Sequence, residues 1–328
     1  MVWFLPALLV AFAAGYGIAC YLTAENLLAT LWDEWRLRRL SLAAADAACA
    51  ANPRHAGLIV SLTTIPGRIE MLAPTLKSLL RQTARPAEIR LCLPDWSVRE
   101  QRAYAVPDWL RGLRCVTLVP CSDEGPATKY LPTLRAVPPD QPVVVLDDDR
   151  LYHPRLLECY AALVHDNPDE VISASGWNVP ADLIDRPTTL WRRLTGEPFV
   201  PVRANQLRRP RRIDIVLGLH SYVVRPRFFD LPGLGDFSKA PPAVRYSDDV
   251  WICAHCRVPC IVYPLPLAYT DHKPWLGRGR INATSLSRNV NCAAADADRG
   301  NSIALRFFSD RWQRGNGRLA RPARTGGR

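Results

Sequence analysis

Lysine is scarce in this 328-residue chain. It supplies four of the 42 basic residues, and the other 38 are arginine. With the abundant alanine and proline, that usage goes with GC-rich bacterial coding and says nothing about chemistry. Charge is missing altogether from Val2 to Ala24. No Gly-x-Gly-x-x-Gly, P-loop or Gly-x-Ser-x-Gly string occurs, so dinucleotide-binding, P-loop and serine-hydrolase readings lose their main support. No internal repeat is present. The ten cysteines are too dilute for a disulfide-stapled domain and show no regular framework, which fits a reducing compartment. A hydrophobic share of 48% and a charged share of 22% exclude wholesale disorder, collagen and coiled coil.

The charge that is there is unevenly placed. Of the net +11, the stretch from Arg299 to Arg328 carries eight arginines against Asp310 alone. The rest is only mildly basic, so the balance argues for a basic, partly disordered tail over 291–328 and against nucleic acid as partner. The uncharged N-terminal run reads as a membrane anchor over 1–24, since roughly 20 apolar residues cross a bilayer as a helix. Trp3 and Tyr21 stand near its ends, where aromatics favour the interface. A cleaved signal peptide fits less well, because no Lys or Arg precedes the run. Arg36, Arg38 and Arg39 follow it, so the positive-inside rule places the catalytic bulk in the cytoplasm. Residues 25–56 read as a juxtamembrane helix and linker. Leu28, Leu31, Trp32, Trp35 and Leu37 form a stripe that either lies on the membrane or packs on the following domain.

From Leu58 onward short apolar runs alternate with helical stretches. Strands are expected at 58–62, 89–93, 116–119, 142–146, 171–174 and 261–263, with helices near 71–80, 154–165 and 248–256. This βαβ alternation predicts an α/β domain over 57–290, a mostly parallel sheet flanked by helices. Such sheets bind ligands at the carboxyl ends of their strands, where the strand order reverses.

The sharpest chemical feature is Asp147-Asp148-Asp149, directly after the apolar run Val143-Val144-Val145-Leu146. Adjacent carboxylates repel, and burying one without compensation is costly. They become sensible around a hard divalent cation, Mn²⁺ or Mg²⁺, which shares oxygen ligands with substrate phosphates. The strand and acidic triplet, with Leu151-Tyr152-His153-Pro154 behind them, resemble the DxD element of A-type glycosyltransferases (the GT-A fold), close to the family 2-like group. The resemblance implies that Asp149 and Asp147 hold a metal bound to a nucleotide-sugar diphosphate, with Asp147 and Asp148 also at the donor.

Further strings carry the same resemblance. Ser61-Leu62-Thr63-Thr64-Ile65-Pro66-Gly67-Arg68 looks like the first-strand loop that receives the nucleotide. Thr63 and Thr64 offer hydroxyls there, and Arg68 offers a phosphate fork. Gly125-Pro126-Ala127-Thr128-Lys129 resembles the segment before the DxD, and Lys129 suits a diphosphate as a compact ammonium. Tyr246-Ser247-Asp248-Asp249-Val250-Trp251 resembles the later acidic motif. In inverting members one such carboxylate deprotonates the acceptor hydroxyl, which implies Asp249 as general base, with Asp248 second. Ser247 is the expected N-cap of that helix. In Asp271-His272-Lys273, His272 is the candidate late metal ligand. Cys253, Cys256 and Cys260 lack a fourth ligand nearby and read as buried apolar residues, not as a zinc site. The arginines of 203–212 and Trp191 are candidates for gating or binding the acceptor.

The resemblance covers about Leu58 to Lys273. With the N-terminal anchor outside its span, it implies an enzyme that moves a sugar from a nucleotide-diphosphate sugar to a lipid- or glycan-linked acceptor; inversion is expected because no clearer nucleophile signal is present. An inactive scaffold of the same fold, or a nucleotidyltransferase, are the alternatives.

Overall fold

The computed structural model describes residues 4–23, 25–275, 277–286 and 295–312. Three helices come first: α1 (Phe4–Thr23), α2 (Leu27–Arg39) and α3 (Leu42–Ala51). Asn26 caps α2 and Ser41 caps α3, each accepting from a backbone N–H three residues on. Among the described residues no single helix is long and apolar enough to cross a membrane. The pair Pro6–Leu22 and Leu27–Arg39, bent by 81°, passes that test together.

The region expected as a linker is folded onto the domain. α3 buries Ala45 and Cys49 in the core. Its Asp46 carboxylate accepts from the backbone N–H groups of Arg114 and Cys115, both at 2.9 Å. α2 turns its acids inward. Asp33 accepts from the Tyr269 hydroxyl, and Glu34 accepts from the Trp275 N–H. Its apolar stripe divides: Leu37 is buried, while Leu28, Leu31, Trp32 and Trp35 are exposed. The helix therefore packs on the domain through its acids and Leu37, while most of the apolar stripe faces outward.

The sheet-forming elements follow: β1 (Ile59–Thr63), α4 (Ala73–Leu80), β2 (Glu88–Pro94), β3 (Val116–Cys121), α5 (Leu131–Ala136), β4 (Val143–Val145), β5 (Leu151–Tyr152), α6 (Leu156–Asp166), β6 (Val171–Ser173), β7 (Ser175–Trp177), β8 (Val202–Arg203), β9 (Arg211–Ile213), β10 (Ile215–Val216), β11 (Tyr222–Val224), α7 (Asp248–His255), β12 (Cys260–Val262), β13 (Asp271–His272), α8 (Arg278–Ala283) and α9 (Gly300–Phe307). Eight strands make one sheet in the order β9-β12-β6-β11-β4-β1-β2-β3. β1 runs parallel to β2 and β4, β2 to β3, and β12 to β6. β11 is antiparallel to both its neighbours, and β9 to β12. The result is a mixed α/β fold with a large, mostly parallel sheet.

The valines of β4 are wholly buried between helical layers. Full burial of each contributes about 1.5 kcal/mol or more. The chain leaves β1 toward β2 and β3, then returns to place β4 on the other side of β1. That reversal is a topological switch point, and the carboxyl ends of β1 and β4 open a crevice there.

The expected tail is also partly folded. α9 packs Ala304 and Leu305 into the core, with Phe308 just beyond it, so part of the stretch expected as a basic, partly disordered tail over 291–328 is helical. The last arginine-rich part of the chain lies outside the described residues. Near α7 the three cysteines gather, with Cys253 Sγ accepting from the Val216 N–H at 3.3 Å. His255 turns instead toward the rings of Trp251 and Phe308.

Candidate active site

A cavity of about 400 Å³ opens at the switch point. The loop after β1 supplies Thr63, Thr64 and Arg68. The turn after β4 supplies Asp147, Asp148 and Asp149. The 3₁₀ turn Gly125–Lys129 supplies Lys129, and the first turn of α7 supplies Asp248 and Asp249. Four strings from distant parts of the sequence thus share one crevice.

Lys129 is the hub. Its ammonium donates to Asp147 Oδ1 at 2.9 Å and lies 2.8 Å from Asp248 Oδ2, the latter as an ion pair without hydrogen-bond alignment. Burial works against a charged ammonium, but Asp147, Asp248 and Asp249 overcome it and hold Lys129 well above its ordinary value. Burial likewise works to raise Asp147, and Lys129 overrides it, so this carboxyl is held low. Arg68 spans the other two acids of the triplet. Its Nη1 lies 2.9 Å from Asp148 Oδ1 and 3.4 Å from Asp149 Oδ2. Thr64 adds a hydroxyl to Asp148 Oδ2 at 2.5 Å. The Thr63 hydroxyl instead donates to the Cys92 carbonyl at 2.7 Å, so it is spent on the sheet.

Asp149 is the carboxylate left with the weakest compensation. Burial, Asp148 and Asp147 together push it up to about 6, against the pull of Arg68 and Arg150. Asp249 is raised well above the usual range, by burial first and by Asp248 next. Its Oδ1 accepts from the Gly218 N–H at 3.0 Å. Gly218 is required at that spot: a Cβ there would stand 2.6 Å from Lys129 Nζ and 2.9 Å from Asp249 Oδ1.

Two expectations fail on geometry. His272 does not reach the triplet. Cross-strand partners share a face, and the pairing of β13 with β5 sets Asp271 opposite Tyr152 and His272 opposite Leu151. Tyr152 meets the Asp147 backbone through its hydroxyl, and Asp271 on the same face is buried against Arg150 and His220 and does not line the cavity. His272 turns away, its ring 3.6 Å from that of Tyr269 and its Nε2 3.7 Å from Asp33 Oδ2. Burial lowers it to about 4. Ser247 does not cap α7 through its side chain; its buried Oγ lines the cavity without a hydrogen-bond partner.

Sequence reasoning passed over Arg150, Asp271 and His220. Arg150 ion-pairs Asp271, whose other oxygen lies 2.7 Å from His220 Nδ1. Asp271 is accordingly held low: burial opposes the shift, but Arg150 and then His220 overcome it. These contacts join positions 121 and 51 residues apart, so no local pattern announces them. Trp191 is exposed on a helix over 190–195, and Arg208, Arg209, Arg211 and Arg212 are not among the cavity's lining residues.

No protein-family model matches the chain. No curated protein matches it either. Among solved structures it is similar to S. aureus TarS, residues 1–349, with a TM-score of 0.41 and 13% sequence identity over 77% of this chain and 72% of that one. Similarity at that level carries no functional weight, and function must be read from the site itself.

Proposed function

We propose that the chain is a metal-dependent glycosyltransferase that uses a nucleotide-diphosphate sugar and inverts the anomeric carbon. The observation that carries this reading is the pair of acidic clusters, Asp147–Asp149 and Asp248–Asp249, facing one cavity at the switch point around a single buried lysine.

The donor set fits a divalent cation, although among the described residues no three His, Cys, Asp or Glu side chains converge on one point. A cation shared with a diphosphate takes most of its oxygens from the phosphates and water, so one or two carboxylates suffice. Asp149 would hold it, with Asp147 beside it, and the raised Asp149 carboxyl is what such an ion would relieve. When bound, the ion neutralises the charge that grows on the departing diphosphate.

Lys129 and Arg68 supply further positive charge at that end of the cavity, already fixed by their carboxylate partners before substrate arrives. At the other end, Asp249 is the proton acceptor. Its Oδ1 is held by Gly218, which leaves Oδ2 for the acceptor hydroxyl. A carboxylate raised toward neutrality makes a better base for an alcohol than an ordinary one. The acceptor oxygen forms its bond to the anomeric carbon as the bond to the diphosphate oxygen breaks, and the hydroxyl proton passes to Asp249.

The test uses the full chain in detergent, screened against nucleotide sugars with Mn²⁺. Nucleoside diphosphate release that Asp149→Ala abolishes is the expected result. Pyrophosphate release would instead indicate nucleotidyl transfer. Failure of every nucleoside diphosphate to bind, with or without Mn²⁺, would indicate a scaffold.

A further inference from the structure

Beneath the 81° corner between α1 and α2 lies a hollow of about 250 Å³. Tyr16 and Cys20 of α1 form one wall, and Arg150, His272, Lys273 and Arg278 form the other. Two hydrogen bonds pin the corner: the Tyr16 hydroxyl donates to Asn26 and accepts from the Leu28 N–H, both at 2.9 Å. Gln206 ties α1 to the domain by donating to the Tyr21 carbonyl at 2.7 Å.

The charge of this hollow is opposite to that of the cleft. Arg150 is matched by Asp271, and Arg278 lies 2.9 Å from Glu25. Lys273 donates to the neutral amide oxygen of Asn282. Among the lining residues three cations therefore meet two acids, so the hollow carries an excess of positive charge.

Position narrows the anion. Arg150 and Lys273 line both the hollow and the cleft, so a group held here sits within one side chain of the sugar-transfer cavity. The opposite wall is α1, an uncharged helix whose Leu8, Leu9, Val10 and Phe12 are exposed. Outward-facing Trp32 and Trp35 on α2 continue that apolar surface, with Arg39 stacked over Trp35 at 4.0 Å. Aromatic and arginine side chains together suit a bilayer interface.

We infer that the hollow binds the phosphate of a membrane-lipid-linked acceptor, with Arg278, Lys273 and Arg150 around the phosphate and the hydrocarbon chain leaving along α1. The inference rests on the glycosyltransferase reading for what happens next, because it delivers the acceptor to Asp249. It names the acceptor class, which the cleft alone does not.

The experiment is calorimetric titration of the full chain in maltoside micelles with decyl phosphate, with inorganic phosphate in a separate arm. A panel of nucleoside diphosphates with Mn²⁺ reports on the donor site. Decyl phosphate is expected to bind, and Arg278→Gln to weaken it at least tenfold, while nucleoside diphosphate affinity stays unchanged. Cys20→Trp, which fills the hollow from the helix side and removes no cation, is expected to weaken it similarly. Inorganic phosphate binding as tightly as decyl phosphate would overturn the lipid source. Absence of decyl phosphate binding, or binding that neither variant alters, would overturn the site. Nucleoside diphosphate binding that persists in that case leaves the donor reading standing. Decyl phosphate binding without any nucleoside diphosphate binding keeps this site and removes the donor reading.

Discussion

The cleft and the hollow are neighbours with opposite charge and opposite construction. The cleft is lined by six aspartates, with Lys129 and Arg68 among its cations. The hollow gathers arginines and a lysine around two acids. The cleft is made of short contiguous strings that end strands or begin a helix. The hollow is made of scattered residues from α1, α2, the turn after β4, β13 and the start of α8. Acids crowded at strand ends announce themselves in sequence, whereas a cationic site assembled from distant positions does not.

The largest effect expected from breaking this contrast is at Asp149. Asp149→Ala should lower Mn²⁺-dependent nucleoside diphosphate affinity by about 100-fold or more in calorimetry, and leave decyl phosphate binding in place. An equal loss at both sites would mean that the two are one site.

Lys129→Met comes next. It strands Asp147, Asp248 and Asp249 in a buried site without their shared cation. Removing one partner of a buried ion pair costs about 3 kcal/mol. Denaturant unfolding measures that loss directly, and an unchanged midpoint would show that the aspartates hold one another without the lysine.

The acidity of Asp149 sharpens the contrast further. Its folded value, about 6, lies above its ordinary 3.8. Stability from this group is therefore present below pH 3.8 and lost as pH rises toward 6. Cation binding runs the other way, since the proton must leave first. Mn²⁺-dependent affinity should rise from about pH 5 to about pH 7, while the thermal stability of Asp149→Asn should fall less than wild type between about pH 4 and pH 6. A flat affinity profile would remove Asp149 as a ligand.

Gly218→Ala is a smaller change. The added methyl presses on Lys129 Nζ and Asp249 Oδ1, and about a tenfold fall in turnover follows if Asp249 is the base, with a displacement of roughly an ångström being enough. Turnover at the wild-type rate would argue that neither group needs its present position. The smallest effect is on the outer face of α2. Trp32→Ser with Trp35→Ser should weaken partition onto anionic vesicles and change unfolding free energy by no more than about 0.5 kcal/mol.

How much of this was legible depends on how local each signal is. Val143–Leu146 followed by three aspartates is a strand end with carboxylates attached, and β4 and its turn lie where that pattern places them. The eight-stranded order is not local, yet the alternation of runs from Leu58 to Ala174 already implied the parallel half. In sequence His272 reads as a late metal ligand, but its ring lies against Tyr269 with Nε2 toward Asp33, and a two-residue strand gives no alternation from which to choose a face. Arg68 was read as a free phosphate fork, but it holds Asp148 and Asp149, a pairing across 80 positions. On α2 the polar and apolar stripes were visible, but which of them faced protein was set by Tyr269 and Trp275, more than 200 residues away.

The helix Gly300–Phe307 has a consequence in biosynthesis. Just before it, Arg299 reaches Asp185 at 3.0 Å. Within it, Ser302 accepts from the Asp185 N–H at 2.9 Å and donates to the Asp296 carbonyl at 2.6 Å. Asn301, between them, lines the cleft. Domains assemble from the N-terminus as they leave the ribosome. The cleft aspartates can therefore be in place early, while Asn301 joins the cleft lining after them. A message cut short after codon 290 would yield a chain with every cleft aspartate in place and a cleft without Asn301.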